Sequence, residues 1–431
     1  MTECKSVCMN LERTTRVPKK LCGLLDLPPP VSPQSWNTNK KRIQSVLKIE
    51  ASKSMSTAAN EAKASQGAEI TVSCDGTWQR RGFSSKNGVV TVATVNGANS
   101  KLVDVETLTN YCHSCSRNKN NTHTCEKNHT GSAGAMESAG VKIIFCHSEE
   151  KHCLKYSGYL GDGDSKSYKS LVSCDPPIYP DVDIKKLECV GHIQKRMGRK
   201  LSNLVTACKN RSYTFDNGKK TKGIGGQKKL TKIAIHRIQG HFGGAIRKHV
   251  GDEAGMRNAV WAIFHHRAGK HDICGDWCPS KSGNLEKANQ SKLPAFVMEE
   301  MKPVFESLSS HELLAKCTHG GTQNVNESFH HVIWSLCPKE IFVGRMCLKI
   351  AVSSAVIQFN DGMQAKISYL NQLGITGGHY TKLYLLQKDR KRVRNSLTNK
   401  SKKAKRRTAQ EKTYISQQSA DYALGICADD D

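Results

Sequence analysis

Two short apolar runs in this chain each end on an aspartate followed by glycine. Ile70–Cys74 leads to Asp75-Gly76, and Tyr159-Leu160-Gly161 leads to Asp162-Gly163. Apolar runs of this length that meet glycine read as strands, and a strand end delivers its carboxylate to the rim of a sheet. A third acid, Glu327 in Asn-Val-Asn-Glu-Ser-Phe-His, opens a stretch with helical periodicity. Taken singly, Asp before Gly is also ordinary turn chemistry. Taken together, three such carboxylates can converge on hard cations such as Mg²⁺ or Mn²⁺, which prefer oxygen ligands. Two ions about 3.5–4 Å apart stabilise the attacking and leaving oxygens of phosphodiester chemistry. The expectation is a chain that cuts or joins nucleic acid.

Charge agrees with such a partner. The 431 residues hold 65 Lys+Arg against 38 Asp+Glu, a formal net charge of +27. Each phosphate neutralised by such a surface releases counterions, so DNA is the partner expected. The chain opens Met-Thr-Glu-Cys-Lys-Ser-Val-Cys, without the apolar segment of a signal peptide. No apolar run approaches the roughly 20 residues of a membrane span, so no membrane role is expected. In a reduced compartment, the 18 cysteines are expected to hold metal where they cluster with histidine rather than to pair as disulfides.

Two such clusters stand out. Cys112-x-x-Cys115 followed by Cys125-x-x-x-His129 supplies the four ligands of a structural Zn²⁺, with His123 able to replace His129. The polar loop between the pairs cannot build a core, so a metal clip there has a purpose. The second set is His265, His266, His271, Cys274 and Cys278, in which His271-x-x-Cys274-x-x-x-Cys278 joins an upstream histidine, taken as His266. The ordinary alternatives are free surface thiols and a histidine-rich helix end.

The order of elements is three strands, a helix, a strand, a helix and a strand. The strands fall at 70–75, 89–95, 101–108, 154–161 and 184–189, with the second and third joined across Asn96-Gly97. Helices are expected at 132–153, 165–172 and 193–208. This is the order of a ribonuclease H-like α/β core. A helical lead-in would occupy 1–65, the first part of the core 66–208 with the zinc insertion at 112–129, a mostly helical insertion 209–317, the last part of the core 318–375, and a basic disordered tail 376–431.

Four blocks carry a family resemblance: Ser-Cys-Asp-Gly-Thr-Trp-Gln-Arg-Arg-Gly, Tyr-Leu-Gly-Asp-Gly-Asp-Ser-Lys-Ser-Tyr, Glu-Cys-Val-Gly-His-Ile-Gln-Lys-Arg-Met-Gly and Gln-Asn-Val-Asn-Glu-Ser-Phe-His-His-Val-Ile-Trp. In this order, over about 70–375, they resemble the Mutator-like transposases of animal genomes. The resemblance implies a DDE-type transposase with a ribonuclease H-like fold, Mg²⁺ (or Mn²⁺) as cofactor, and transposon ends and target DNA as partners. It implies Asp75, Asp162 and Glu327 as the catalytic, metal-binding acids, with Asp164 the alternative for the second. Cys189 and His192 match the Cys-x-x-His signature of the superfamily and are auxiliary candidates. Family members often carry a longer region ahead of the catalytic domain. Here about seventy residues precede Asp75, as in a truncated or domesticated copy.

Lys195, Arg196, Arg199 and Lys200 lie on one short basic helix, expected to track a DNA backbone. His330 and His331 adjoin Glu327, and at most one of them can face bound metal. Lys388–Arg407 contains eleven Lys/Arg and one Asp in two clusters, the pattern of a two-part nuclear localisation signal. A homo-oligomer is allowed. Three rivals remain at this point: a catalytically inactive DNA-binding protein of transposase origin, a ribonuclease H-like nuclease, and a zinc-stabilised adaptor.

Overall fold

A computed structural model describes residues 31–395 except 81–83, 96–99, 118–122, 163–165 and 276, together with 22, 24, 26, 28, 29, 397 and 398. Five strands form one mixed sheet: β1 (Glu69–Trp78), β2 (Asn87–Thr94), β3 (Leu102–Thr109), β4 (Lys155–Gly161) and β5 (Lys185–Glu188). Their order is β3-β2-β1-β4-β5. The first three make an antiparallel meander, and β4 and β5 run parallel to β1. The Asn96-Gly97 turn expected between β2 and β3 lies outside the described residues.

Parallel neighbours need crossovers, and helices supply them. Ahead of the sheet runs α1 (Pro33–Gln66); α2 (Ala135–His152) connects β3 to β4, α3 (Lys166–Val172) connects β4 to β5, and α4 (Val190–Ala207) follows β5. The alternation of β2 shows why both faces are covered. Val90 and Val92 join a core with Val141, Ile144 and Phe145 of α2, while Val89 and Ala93 point the other way.

That opposite core is closed by α1, by α8 (Asn324–Leu336) and by α9 (Arg345–Asn360), through Leu47, Phe329, Ile333 and Val352. Thus α1 is a layer of the core: Ser32 caps its N-terminus by accepting from the Ser35 amide at 3.1 Å, and its alanines Ala58, Ala59 and Ala62 reach the first core as well.

Between α4 and α8 stands a third hydrophobic core. It is built by α4 with α5 (Lys232–Lys248), α6 (Glu253–Arg267) and α7 (Ala295–Leu308), through Ile193, Leu201, Phe242, Ile263 and Phe305. The insertion expected as mostly helical from 209 opens with a small hairpin, β6 (Ser212–Thr214) with β7 (Lys220–Lys222). Within the 376–431 region expected as disordered tail, residues 379–395 are helical; beyond 398 the tail lies outside the described residues.

Candidate metal centre

The parallel register of β1 and β4 brings two of the three expected acids together. Ser73 pairs with Leu160, so two residues on Asp75 draws level with Asp162. Asp75 is not at a strand end as the sequence suggested. β1 continues to Trp78 because β2 still pairs with it (Asp75 faces Thr91), while β4 stops at Gly161. The half-buried Asp75 therefore lies where its parallel neighbour gives out, and the exposed Asp162 follows that end directly. Asp164, the alternative second acid, lies outside the described residues.

Glu327 arrives on the first turn of α8, and a set of buried amides holds that turn to the sheet. Gln323 donates from Nε2 to the Cys74 carbonyl at 2.8 Å. Asn326, fully buried, donates from Nδ2 to the Ser73 carbonyl at 3.2 Å and to the Thr91 hydroxyl at 2.9 Å. Cys189 Sγ accepts from the Gln323 amide at 3.4 Å, which places the expected Cys189 in support of this turn rather than at the acids.

His192, on the first turn of α4, stands between two of the acids. Its Nδ1 is 3.1 Å from Asp162 Oδ1 and its Nε2 is 3.8 Å from Glu327 Oε1. The basic helix face divides around it. Lys195 Nζ lies 3.8 Å from Glu327 Oε1, and Arg196 lies 3.8 Å from Asp162 and 3.3 Å from Glu188. Arg199 is exposed further along, whereas Lys200 turns to donate to the Ser307 hydroxyl on α7 at 2.7 Å.

A fourth acid went unnoticed in the sequence. Glu137, on the first turn of α2, lies against β1 beside Asp75; a β-carbon at residue 76 would lie 2.9 Å from its Cγ, so glycine there makes room. Ser167 donates to its Oε1 at 3.4 Å. The consequence is electrostatic. Burial, then the Glu137 charge, then those of Glu327 and Asp162 push the Asp75 carboxyl up to about 7, against the Gly76 amide that lowers it. Glu137 is itself raised by burial and by Asp162.

His330 Nδ1 is 3.6 Å from Asp75 Oδ2, but burial and then Lys339 drive this imidazole down to about 3, so it is neutral and offers no counter-charge. Its Nε2 meets the Thr91 hydroxyl at 3.0 Å. His331 is exposed. Carboxylates gathered closely enough to raise the Asp75 pKa have the charge and donor type a divalent cation needs.

Both Cys/His clusters form. Cys112, Cys115, His123 and Cys125 present one ligand atom each within 4.8 Å of one another. His123 Nε2 is 3.3 Å from Cys112 Sγ and 3.2 Å from Cys115 Sγ. His129, the first choice for the fourth ligand, is corrected: its Nε2 instead meets the Ser132 carbonyl at 3.1 Å, because residues 126–131 lead away toward α2. His266, His271, Cys274 and Cys278 also lie within 4.8 Å of one another and are all buried. His265 is apart from them, packed by Trp261 and Phe264.

A family model described as Mutator-like transposase matches residues 6–278, more than half of the chain. The chain belongs to the Mutator-like transposases. Within that match fall Asp75, Asp162, His192 and both Cys/His clusters, while Glu327 lies beyond it. No curated protein matches the chain. Membership in the Mutator-like transposases brings with it transposase-type function, DNA binding and use of a divalent metal. Among the described residues no helix is long and apolar enough to cross a membrane.

Proposed function

We propose that this Mutator-like transposase is a DDE enzyme, in which Asp75, Asp162 and Glu327 hold two Mg²⁺ or Mn²⁺ ions and DNA strands are cut and rejoined. One relationship carries the proposal: the β1–β4 register levels Asp75 with Asp162, and His192 spans from Asp162 to Glu327. The sheet order, with an antiparallel meander and two parallel strands, supports a ribonuclease H-like core.

Bound divalent ions would polarise phosphate oxygens and favour hydroxide, or a freed 3′-hydroxyl, as nucleophile. The chain's own residues position and balance charge. Lys195 stands beside Glu327, where it would meet phosphate once metal neutralises the acids, while Arg196 is shared between Asp162 and Glu188. Arg199 extends the same face. No covalent protein intermediate is needed, since the work is positioning and charge stabilisation.

Cys112, Cys115, His123 and Cys125 would hold a structural Zn²⁺, as four-ligand sites without an open position do. The basic stretch from Lys388 to Arg407 would direct the protein to the nucleus.

Cleavage of labelled duplex in Mg²⁺ tests the proposal. Asp75→Asn and Glu327→Gln are expected to abolish nicking and 3′-end joining while DNA retention in a gel shift persists. Undiminished cleavage by both variants would sink it, and nicking without joining would indicate a nuclease.

A further inference from the structure

We infer that His266, His271, Cys274 and Cys278 form a second, closed zinc site that folds the loop between α6 and α7, with Asn289 and Ser291 as its outer-shell partners.

Ligand spacing comes first. With Zn–N near 2.0–2.1 Å and Zn–S near 2.3 Å, a tetrahedron sets its ligand atoms roughly 3.3–3.8 Å apart. Here the two Nδ1 atoms are 3.1 Å apart. Cys278 Sγ lies 3.4 Å and 3.5 Å from them, and Cys274 Sγ 3.7 Å and 3.8 Å. Two imidazoles and two thiolates in a tetrahedron are a donor set for zinc.

The second observation is independent of spacing: the far ring nitrogens fix both tautomers. Asn289 Oδ1, an acceptor only, lies 3.0 Å from His271 Nε2, so that nitrogen carries the proton. Ser291 donates its hydroxyl to the Ala288 carbonyl at 3.2 Å and therefore accepts from His266 Nε2 at 2.8 Å. Both Nδ1 atoms are thus left with bare lone pairs facing each other at 3.1 Å. Such an arrangement is repulsive in a dry interior unless a cation sits between them. Metal-bound histidines characteristically donate their other N–H to an oxygen partner in this way.

Finally, the loop lacks the means to fold alone. Its own buried cluster is Cys274, Cys278 and Ala288. A core that small cannot offset the chain entropy of ordering the loop, whereas a structural zinc can. Trp277 covers the site, its ring 4.9 Å from that of His266 and 5.2 Å from that of His241. With four protein ligands and this lid there is no open position, so the role is structural.

Zinc content of the purified full chain, by elemental analysis, decides the matter. The parent chain should carry two zinc ions, one in each Cys/His cluster. A Cys274→Ser/Cys278→Ser variant should carry one fewer, and a Cys115→Ser variant should keep the one assigned here. Should the double variant fail to fold, Asn289→Ala provides the second test, with an expected loss of about 10–100-fold in zinc affinity in chelator competition. In the parent chain, chelation should also expose Cys274 and Cys278 to alkylation, mapped by peptide mass. Equal zinc content in parent and double variant, or no change in alkylation of these cysteines on chelation, overturns the inference.

Discussion

Asn326 on α8 donates its side-chain amide to the Thr91 hydroxyl at 2.9 Å and the Thr91 carbonyl at 3.1 Å, tying the helix to β2 one residue before Glu327. The same amide reaches the Ser73 carbonyl, two residues before Asp75. One buried side chain therefore sets the distance between two acids that lie 252 positions apart.

Truncating that amide should uncouple them. Asn326→Ala would leave buried backbone carbonyls without a donor, at a cost of about 1–3 kcal/mol. We expect a lower melting temperature together with a larger loss in Mg²⁺-dependent cleavage rate than in DNA affinity. A variant that melts lower yet cleaves at the parent rate would show that Asn326 does no positioning.

Metal binding should be proton-linked near neutrality. Asp75 is raised to about 7, chiefly by burial and then by Glu137, and a ligand carboxylate must lose its proton before it binds. Below that pH the apparent Mg²⁺ affinity should rise with pH, by up to about tenfold per unit for one proton, and level off above it. Glu137→Gln removes the largest of the neighbouring charges on Asp75, so the inflection should move to lower pH. Calorimetric Mg²⁺ titrations between pH 5.5 and 8.5 in two buffers of different ionisation heat would measure the released proton, and a pH-independent affinity would contradict the assignment.

The sheet has its own buried charge. Asp104 on β3 is fully buried, with Lys151 Nζ at 2.6 Å, His147 Nε2 at 3.0 Å and His152 Nε2 at 3.3 Å, all from α2. Burial alone would raise its pKa; the two imidazoles and the ammonium more than reverse that and hold it well below the usual carboxylate range. A depressed folded pKa gives stability that is full above the unfolded value, near 3.9, and is lost as pH falls below it toward the folded value. Asp104→Asn should therefore cost about 1–3 kcal/mol at pH 7, since it removes the buried carboxylate that Lys151, His147 and His152 face. The difference from the parent in urea unfolding should shrink as the pH drops below 4.

Much of this architecture was legible in local pattern. The five strands and the helices between them fall within a few residues of where apolar runs and glycine place them, because each is long enough to carry its own period. What escaped depends on tertiary neighbours. Asp75 reads as a strand end because glycine follows it, yet the antiparallel partner β2 carries the strand to Trp78. Glu137 follows Ala-Gly-Ala-Met, with nothing local to mark it; only the packing of α2 over Gly76 brings it to the acids. The weak apolar period of α1 hid its place in the core, since small alanines make that contact.

The choice between His123 and His129 turns on the same limit, because both stand within four residues of Cys125 and spacing alone allows either. Chain direction separates them. The backbone amides of Asn128 and His129 both donate to the Thr109 carbonyl at 3.1 Å, which fixes that segment beside β3 and sends the His129 ring toward Ser132. His123 lies before this anchor and is free to fold onto Cys112 and Cys115. His123→Ala should therefore lose one zinc ion per chain and expose Cys112 to alkylation, while His129→Ala should keep full zinc content with a small loss of stability. Equal zinc loss in the two variants would mean that the ligand set is wrong.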